Sequence, residues 1–370
     1  MKIKDVLQRD PGNFPLVNQG QARIVDSRNE KALEELRGEL STFVCEGQYA
    51  DGVQNIIRSY LDSIGKTNQK AAWVSGFFGS GKSHLLKMLC HLWQDTPFPD
   101  GATARAIVPA MPDELRDLLR ELDTAGRRAG GLLAAAGSLP SGTTDQVRLT
   151  ILGILLRAVG LPEQYPQARF CLWLHAQGYF DKVKKSVEAA GKVFDKELNN
   201  LYVSGPIAKA LLACDKSYAS SEAEARQTLR ASYPPMARDI TTEEFLITVK
   251  EALKLHGRDG RTACTLLILD EVQQYVGDSN DRSVLVTEVA EAVSKQLDSQ
   301  VMIVGAGQSA LTDVLLLHKL MDRFTIRVPL SDAEVEQVTR KVLLHKKPAS
   351  VAEVRKLLDA NAGEISRQLQ

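Results

Sequence analysis

Apolar residues along this 370-residue chain fall into blocks of two kinds. Some recur at spacings of three and four, the rhythm of one helix face; others form unbroken runs, the mark of a strand covered on both sides. Helical rhythm runs from about 29 to 45 and from about 52 to 64, where Gly65 supplies a C-cap. It returns in Leu85, Leu86, Met88, Leu89 and Leu92, around 112–125, and over 145–159, stopped by Gly160 and Pro162. Residues 160–245 read as mostly helical, with prolines and glycines at the breaks. Strand-like runs occupy 71–75, 130–136, 265–270, 301–305 and 324–330. After Ser331, an N-cap, helices resume over 332–346, break at Pro348, continue over 350–360 and start once more at Gly363.

Strands separated by helices predict an α/β fold, a parallel sheet flanked by helices. The chain divides into three parts. Residues 1–69 form an N-terminal helical arm that includes an irregular stretch at 10–15. Residues 70–330 are the core, with a largely helical insertion at about 160–245, and residues 331–370 begin a helical lid. The pattern halts within a helix, so a fragment of a longer polypeptide is expected. There is no internal repeat and no low-complexity tract.

The first chemical signature lies between a strand and a helix: Gly76, Phe77, Phe78, Gly79, Ser80, Gly81, Lys82 and Ser83, followed by His84. This is G-x-x-x-x-G-K-[ST], the phosphate-binding P-loop. Its glycines let backbone N–H groups turn toward phosphate oxygens, and the helix start adds its positive dipole end. Lys82 is placed to reach the β- and γ-phosphates of ATP, and the Ser83 hydroxyl to ligate Mg²⁺. The second signature is the run from Thr265 to Leu269 ending in Asp270 and Glu271. A parallel sheet presents the carboxyl ends of its strands to one crevice. Asp270 is then the partner of Ser83 at Mg²⁺, and Glu271 the group that activates the attacking water. Acidic pairs also cap helices after strands, which is the plainer reading.

Three further residues are candidates by position. Gln308, with Ser309 second, follows the strand run 301–305 and would sense the γ-phosphate; a solvated turn residue is the alternative. Arg323 precedes the last strand and is a candidate arginine finger toward a neighbouring subunit. Ion pairing with Asp322 or Asp313 is its structural alternative. Arg367, in the lid, is a candidate nucleotide-sensing arginine. The long gap between Lys82 and Asp270 exceeds the roughly 30 residues of one βαβ unit, leaving room for the insertion.

Composition narrows the setting. A hydrophobic share of 44% and a charged share of 25% are those of an ordinary globular chain. Lys plus Arg and Asp plus Glu are 46 each, so no global field favours nucleic acid. DNA contact, direct or indirect, is left to a local patch or to other parts of a longer protein. Lys182, Lys184, Lys185 and Lys192 read as a solvated helix face. No apolar run approaches the ~20 residues of a membrane span, and the charged N-terminus has no signal core. Five scattered cysteines make no C-x-x-C pair and read as free thiols, and six histidines show no metal spacing. A cytoplasmic location without membrane contact is expected.

Taken together, residues 76–83, Asp270 and Glu271, Gln308, the Asp322-Arg323-Phe324 triplet and the trailing helices resemble an AAA+ ATPase, an ASCE-type P-loop NTPase. The surroundings at 4–11, 73–89, 132–142 and 159–166 are similar to the large P-loop ATPase of BREX phage-exclusion systems, the BrxC or PglY family, whose members are considerably longer. That resemblance implies antiviral defence through blocked phage DNA replication and host DNA methylation. It also implies partners: a methyltransferase, a phosphatase-like protein, small accessory proteins and further copies of the chain in a homo-oligomer. A nucleotide-gated assembly scaffold with little turnover is the alternative from another class, and a small-molecule kinase is a third.

Overall fold

Runs such as Cys264–Asp270 and Val301–Gly307 are buried at every position, which requires a strand covered on both faces. The computed structural model describes residues 3–8, 30–139, 146–312, 314–331 and 333–368. It contains one five-stranded sheet of β1 (Ala72–Ser75), β2 (Leu132–Ser138), β3 (Cys264–Asp270), β4 (Val301–Gly307) and β5 (Ile326–Pro329). The spatial order is β2-β3-β4-β1-β5 and every pairing is parallel. The chain is therefore α/β, with an all-parallel sheet flanked by helices.

Alternation along the strands sorts side chains into two cores. Trp73, Leu133, Leu267 and Ile303 enter one; Val74, Ala134, Leu266 and Val304 enter the other. The second core is covered by helices α2 (Glu30–Thr42), α3 (Gly47–Ser63), α4 (Lys82–Gln94) and α6 (Asp113–Arg128), with α5 (Ala104–Ile107) as a single turn. Helix α1 (Ile3–Val6) is another single turn, followed by a bridge from Leu7 to Lys346. Leu36, Leu40, Ile56 and Tyr60 pack beside Val74 and Leu86, so α2 and α3, read as an arm, share the core of β1.

The first core is covered by α7 (Val147–Ala158), α13 (Thr242–His256) and α15 (Asn280–Gln296). The segment read as an insertion forms α8 (Tyr165–Ala176), α9 (Phe180–Ala189), α10 (Phe194–Asn199), α11 (Gly205–Cys214) and α12 (Glu222–Ser232). Its Phe170, Phe194 and Leu211 belong to the same buried cluster as Leu267 of β3. Helix α13 begins with a reciprocal cap between Thr241 and Glu244. The five cysteines are free, four of them buried.

Element edges move for local reasons. Gly131, at φ +112°, holds a turn that delays β2 to Leu132. Phe324 donates its N–H to the Leu320 carbonyl and packs edge-on against Trp73, so β5 starts two residues later. The long helix expected over 332–346 is α16 (Ala333–Val338) followed by a π-turn at Thr339–Leu343; Asp332 lies outside the described residues. Beyond it, α17 (Val351–Ala360) and α18 (Ala362–Gln368) bury none of their residues. The irregular stretch at 10–15 and part of 132–142 also lie outside. Among the described residues, no helix is long and apolar enough to cross a membrane.

Candidate active site at the carboxyl edge of the sheet

From β1 the chain runs to the far edge at β2, and after β4 it crosses to the other side of β1. That reversal of direction opens a crevice outside the carboxyl ends of the central strands. The sequence places its polar glycine loop there. Gly79 and Gly81 stand at φ +90° and +85°, backbone that glycine adopts without cost. The Ser80 N–H donates to the Phe77 carbonyl at 3.2 Å, closing the turn. Helix α4 then begins at Lys82 with no side-chain cap, which leaves its first N–H groups for an anion.

Helix α3 supports the loop from below. The Tyr49 hydroxyl donates to the Ser80 carbonyl at 2.8 Å, and a Cβ on Gly81 would stand 2.2 Å from the same hydroxyl. Ser80 is fully buried and its Oγ has no partner among the described residues. The exposed rings of Phe77 and Phe78 flank this cradle, so what these residues offer a phosphate is backbone. Lys82 Nζ donates to the carbonyls of Gly76 at 2.6 Å and Phe77 at 3.0 Å. Burial lowers the Lys82 pKa, and the Asp270 charge draws it back upward.

Ser83 Oγ donates to Asp270 Oδ2 at 2.8 Å, so the two residues assigned to Mg²⁺ meet across β4. Asp270 is buried, and its Oδ1 accepts the Glu271 N–H at 2.8 Å. Glu271 sits at φ 59°, ψ 24°, a left-handed conformation costing a side-chain-bearing residue about 1 kcal/mol. That bend lets the chain leave β3 and enter α14 (Val272–Val276) at once. Two oxygen donors side by side suit a hard cation that takes its remaining ligands from phosphate and water. Among the described residues, no group of three or more His, Cys, Asp or Glu side chains is placed to hold a metal ion.

The remaining candidates separate by position. Gly307 pairs with Ser75 in register, so Gln308 is exposed at the level of Gly76. His84 packs edge-on against Phe43 with ring centroids 5.7 Å apart, and burial pushes its imidazole down to about 4. It is neutral near pH 7 and offers no charge to a phosphate. Arg323 lies at the other edge of the sheet: its carbonyl accepts the Ala71 N–H ahead of β1, and its guanidinium pairs with Glu291 of α15 at 3.0 Å. Arg367 is highly exposed and lies 3.9 Å from Glu364, one turn earlier on α18. Neither arginine is brought to the phosphate loop of its own chain.

Sequence patterning missed three contributors: Tyr49 below the loop, Gln273 behind Glu271, and Phe43. Phe43 also lines a cavity of about 400 Å³ with Cys45, Pro109, Lys341 and His345. All three act through contacts between distant segments, and only Gln273, two residues past Glu271, stood near a recognised motif. The sheet and its edge define the class: an α/β protein compatible with a P-loop NTPase-like fold. No family model matches this chain.

Proposed function

We propose that the chain is an AAA+ module that binds Mg²⁺-ATP and hydrolyses it. The observation that carries this reading is the 2.8 Å approach of Ser83 to Asp270 beside the lysine of the same loop. A glycine-rich turn that merely precedes a helix has no reason to meet the acidic end of a strand two places away in the sheet.

In this reading the loop N–H groups and the start of α4 hold the β- and γ-phosphates, and Lys82 exchanges its carbonyl partners for phosphate oxygens. Ser83 and Asp270 would hold Mg²⁺, whose charge would offset that of the phosphates. Glu271 orients and deprotonates the attacking water, and Gln308 stands at the next strand end to contact the γ-phosphate. The cavity beside Phe43, whose ring packs against His84 just past the loop, has a volume suited to the base. Arg323 acts on a neighbour's nucleotide in an oligomer, and Arg367 follows nucleotide state from the lid. The finer assignment, a BREX defence ATPase working with a methyltransferase, a phosphatase-like protein, accessory proteins and DNA, rests on the likeness of the motif surroundings.

Phosphate release from ATP, followed at several protein concentrations for the wild type and Glu271→Gln, tests the reading. The wild type is expected to turn over ATP with Mg²⁺. The variant should bind nucleotide normally while losing about 10²- to 10⁴-fold in rate. Binding and assembly without turnover in either protein would leave the nucleotide-gated scaffold instead.

A further inference from the structure

Gln273 lies in the first turn of α14, two residues past Glu271, and reaches across to the exit of β4. Its Oε1 accepts the Ser309 N–H at 2.8 Å, and its Nε2 donates to Ser309 Oγ at 3.2 Å. The indole N–H of buried Trp73, on β1, donates to the Ser309 carbonyl at 3.0 Å. Both backbone polar groups of Ser309 and its hydroxyl are thus engaged by side chains from two other strands or their exits. Gly307 permits this closeness: a Cβ there would stand 2.4 Å from the Trp73 ring and 2.9 Å from Gln273 Oε1.

We propose that Gln273 is a positioning residue that ties the Glu271 turn to the Gln308 exit, so that both address one γ-phosphate as a unit. The proposal rests on the hydrolase reading of the same site. A half-buried amide is costly unless bonded, so packing alone gives no reason for glutamine here. A five-residue helix has little stability of its own, and α14 starts from a left-handed residue. The orientation of the Glu271 carboxylate therefore depends on what anchors the first turn of α14. Buried Val272, Tyr275 and Val276 hold the helix to the core, and Gln273 fixes its start to the residue following Gln308. Displacing a reacting group by about 1 Å costs on the order of 10²-fold in rate, so a clamp between two strand exits bears on turnover while leaving the phosphate cradle untouched.

The test compares Gln273→Leu with Gln273→Glu, because glutamate retains an acceptor for the Ser309 N–H and hydroxyl. Gln273→Leu is expected to lower kcat by about 10- to 100-fold with KM for ATP and the melting temperature near wild type, and Gln273→Glu to recover most of the rate. Wild-type kcat in Gln273→Leu overturns the proposal. So does a fall in kcat matched by a changed KM and a lower melting temperature, the pattern of a merely structural role.

Amide exchange separates this outcome from failure of the hydrolase reading. Binding of a non-hydrolysable ATP analogue is expected to protect 271–276 and 307–310 together in the wild type, and only one of them in Gln273→Leu. Independent responses of the two segments in the wild type overturn the proposal whether or not ATP is hydrolysed. A wild type that binds the analogue with joint protection and releases no phosphate sinks the hydrolase reading alone.

Discussion

Ser83 Oγ and Asp270 Oδ2 lie 2.8 Å apart, although β1, which leads into the loop before Ser83, and β3, which ends at Asp270, are separated by β4. The P-loop reaches over the intervening strand to close that distance, giving a cation a hydroxyl and a carboxylate at one point. Asp270→Asn keeps an oxygen for the Ser83 hydroxyl and removes the charge. A hydrogen-bonded charged contact is worth about 1.5–3 kcal/mol, so the variant should lose about 10- to 100-fold of the tightening that Mg²⁺ gives to ATP binding. Titrating ATP with and without Mg²⁺ checks this; an unchanged Mg²⁺ effect would remove Asp270 from the cation site.

Lys82 has its ammonium turned onto the carbonyls of Gly76 and Phe77. Those carbonyls belong to a surface loop, so losing the lysine should barely change folding. Lys82→Ala is expected to weaken ATP binding by at least about 10-fold and to abolish turnover, with a melting temperature near that of the wild type. Calorimetric titration with ATP decides it, since wild-type affinity in the variant contradicts the phosphate role.

Local motifs are legible in the sequence; long-range placement is not. The spacing of Gly76, Gly81 and Lys82 and the apolar run ending in Asp270 are each visible within ten residues, and the structure brings Ser83 of the first to Asp270 of the second. Four of the five strands are readable as apolar runs, because a strand between two helical layers needs no polar face; β5, at the sheet edge, alternates and exposes Arg327. The strand order is not readable, since nothing within Val301–Gly307 says that it slots between β1 and β3. Tyr49 falls between the two helical patterns at 29–45 and 52–64; α3 starts earlier, at Gly47, and Tyr49 in its first turn is the hydroxyl under the loop. Arg323 was matched with sequence neighbours; its partner is Glu291 because α15 packs against the entry to β5, while Asp313 lies outside the described residues.

Arg323 stands on the edge of the sheet away from its own P-loop, so any role in hydrolysis runs between subunits. Arg323→Ala should leave the low-concentration rate unchanged and cut the assembled rate, by about 10³-fold if it acts as a finger. Turnover per chain measured across a concentration series, with assembly state followed in parallel, reads this directly. Equal rates for wild type and variant in the assembled sample would leave Arg323 as the partner of Glu291 and nothing more.

Tyr49 ties α3 to the loop through one buried hydrogen bond to the Ser80 carbonyl. Tyr49→Phe removes the hydroxyl and leaves the ring, so a loss of about 1 kcal/mol in stability is expected, with weaker ATP binding as the loop loosens. Gly81→Ala should be worse on both counts. It forces a Cβ onto φ +85° and within 2.2 Å of that hydroxyl. Denaturant midpoints and ATP affinities of the two variants test the order; Gly81→Ala as mild as Tyr49→Phe would mean that the loop adapts freely.

Two histidines of α4 make stability sensitive to acid. Burial, with the Lys87 charge as a smaller contribution, lowers the imidazole of His84 to about 4 and that of His91 to about 3. His91 is fully buried, with Nδ1 2.8 Å from Thr96 Oγ1. An unfolded chain protonates both near the ordinary value of 6.5, so below that pH it binds more protons than the folded one. Their contribution is complete above about pH 6.5 and is lost as pH falls toward the folded values, at up to about 1.4 kcal/mol per pH unit for each histidine. Urea midpoints from pH 7.5 to 4.5 should therefore drop steadily on the acid side. His91→Gln, neutral throughout, should flatten part of that slope even if it lowers the midpoint at neutral pH. A slope identical to wild type would show that His91 does not stay neutral in the folded protein.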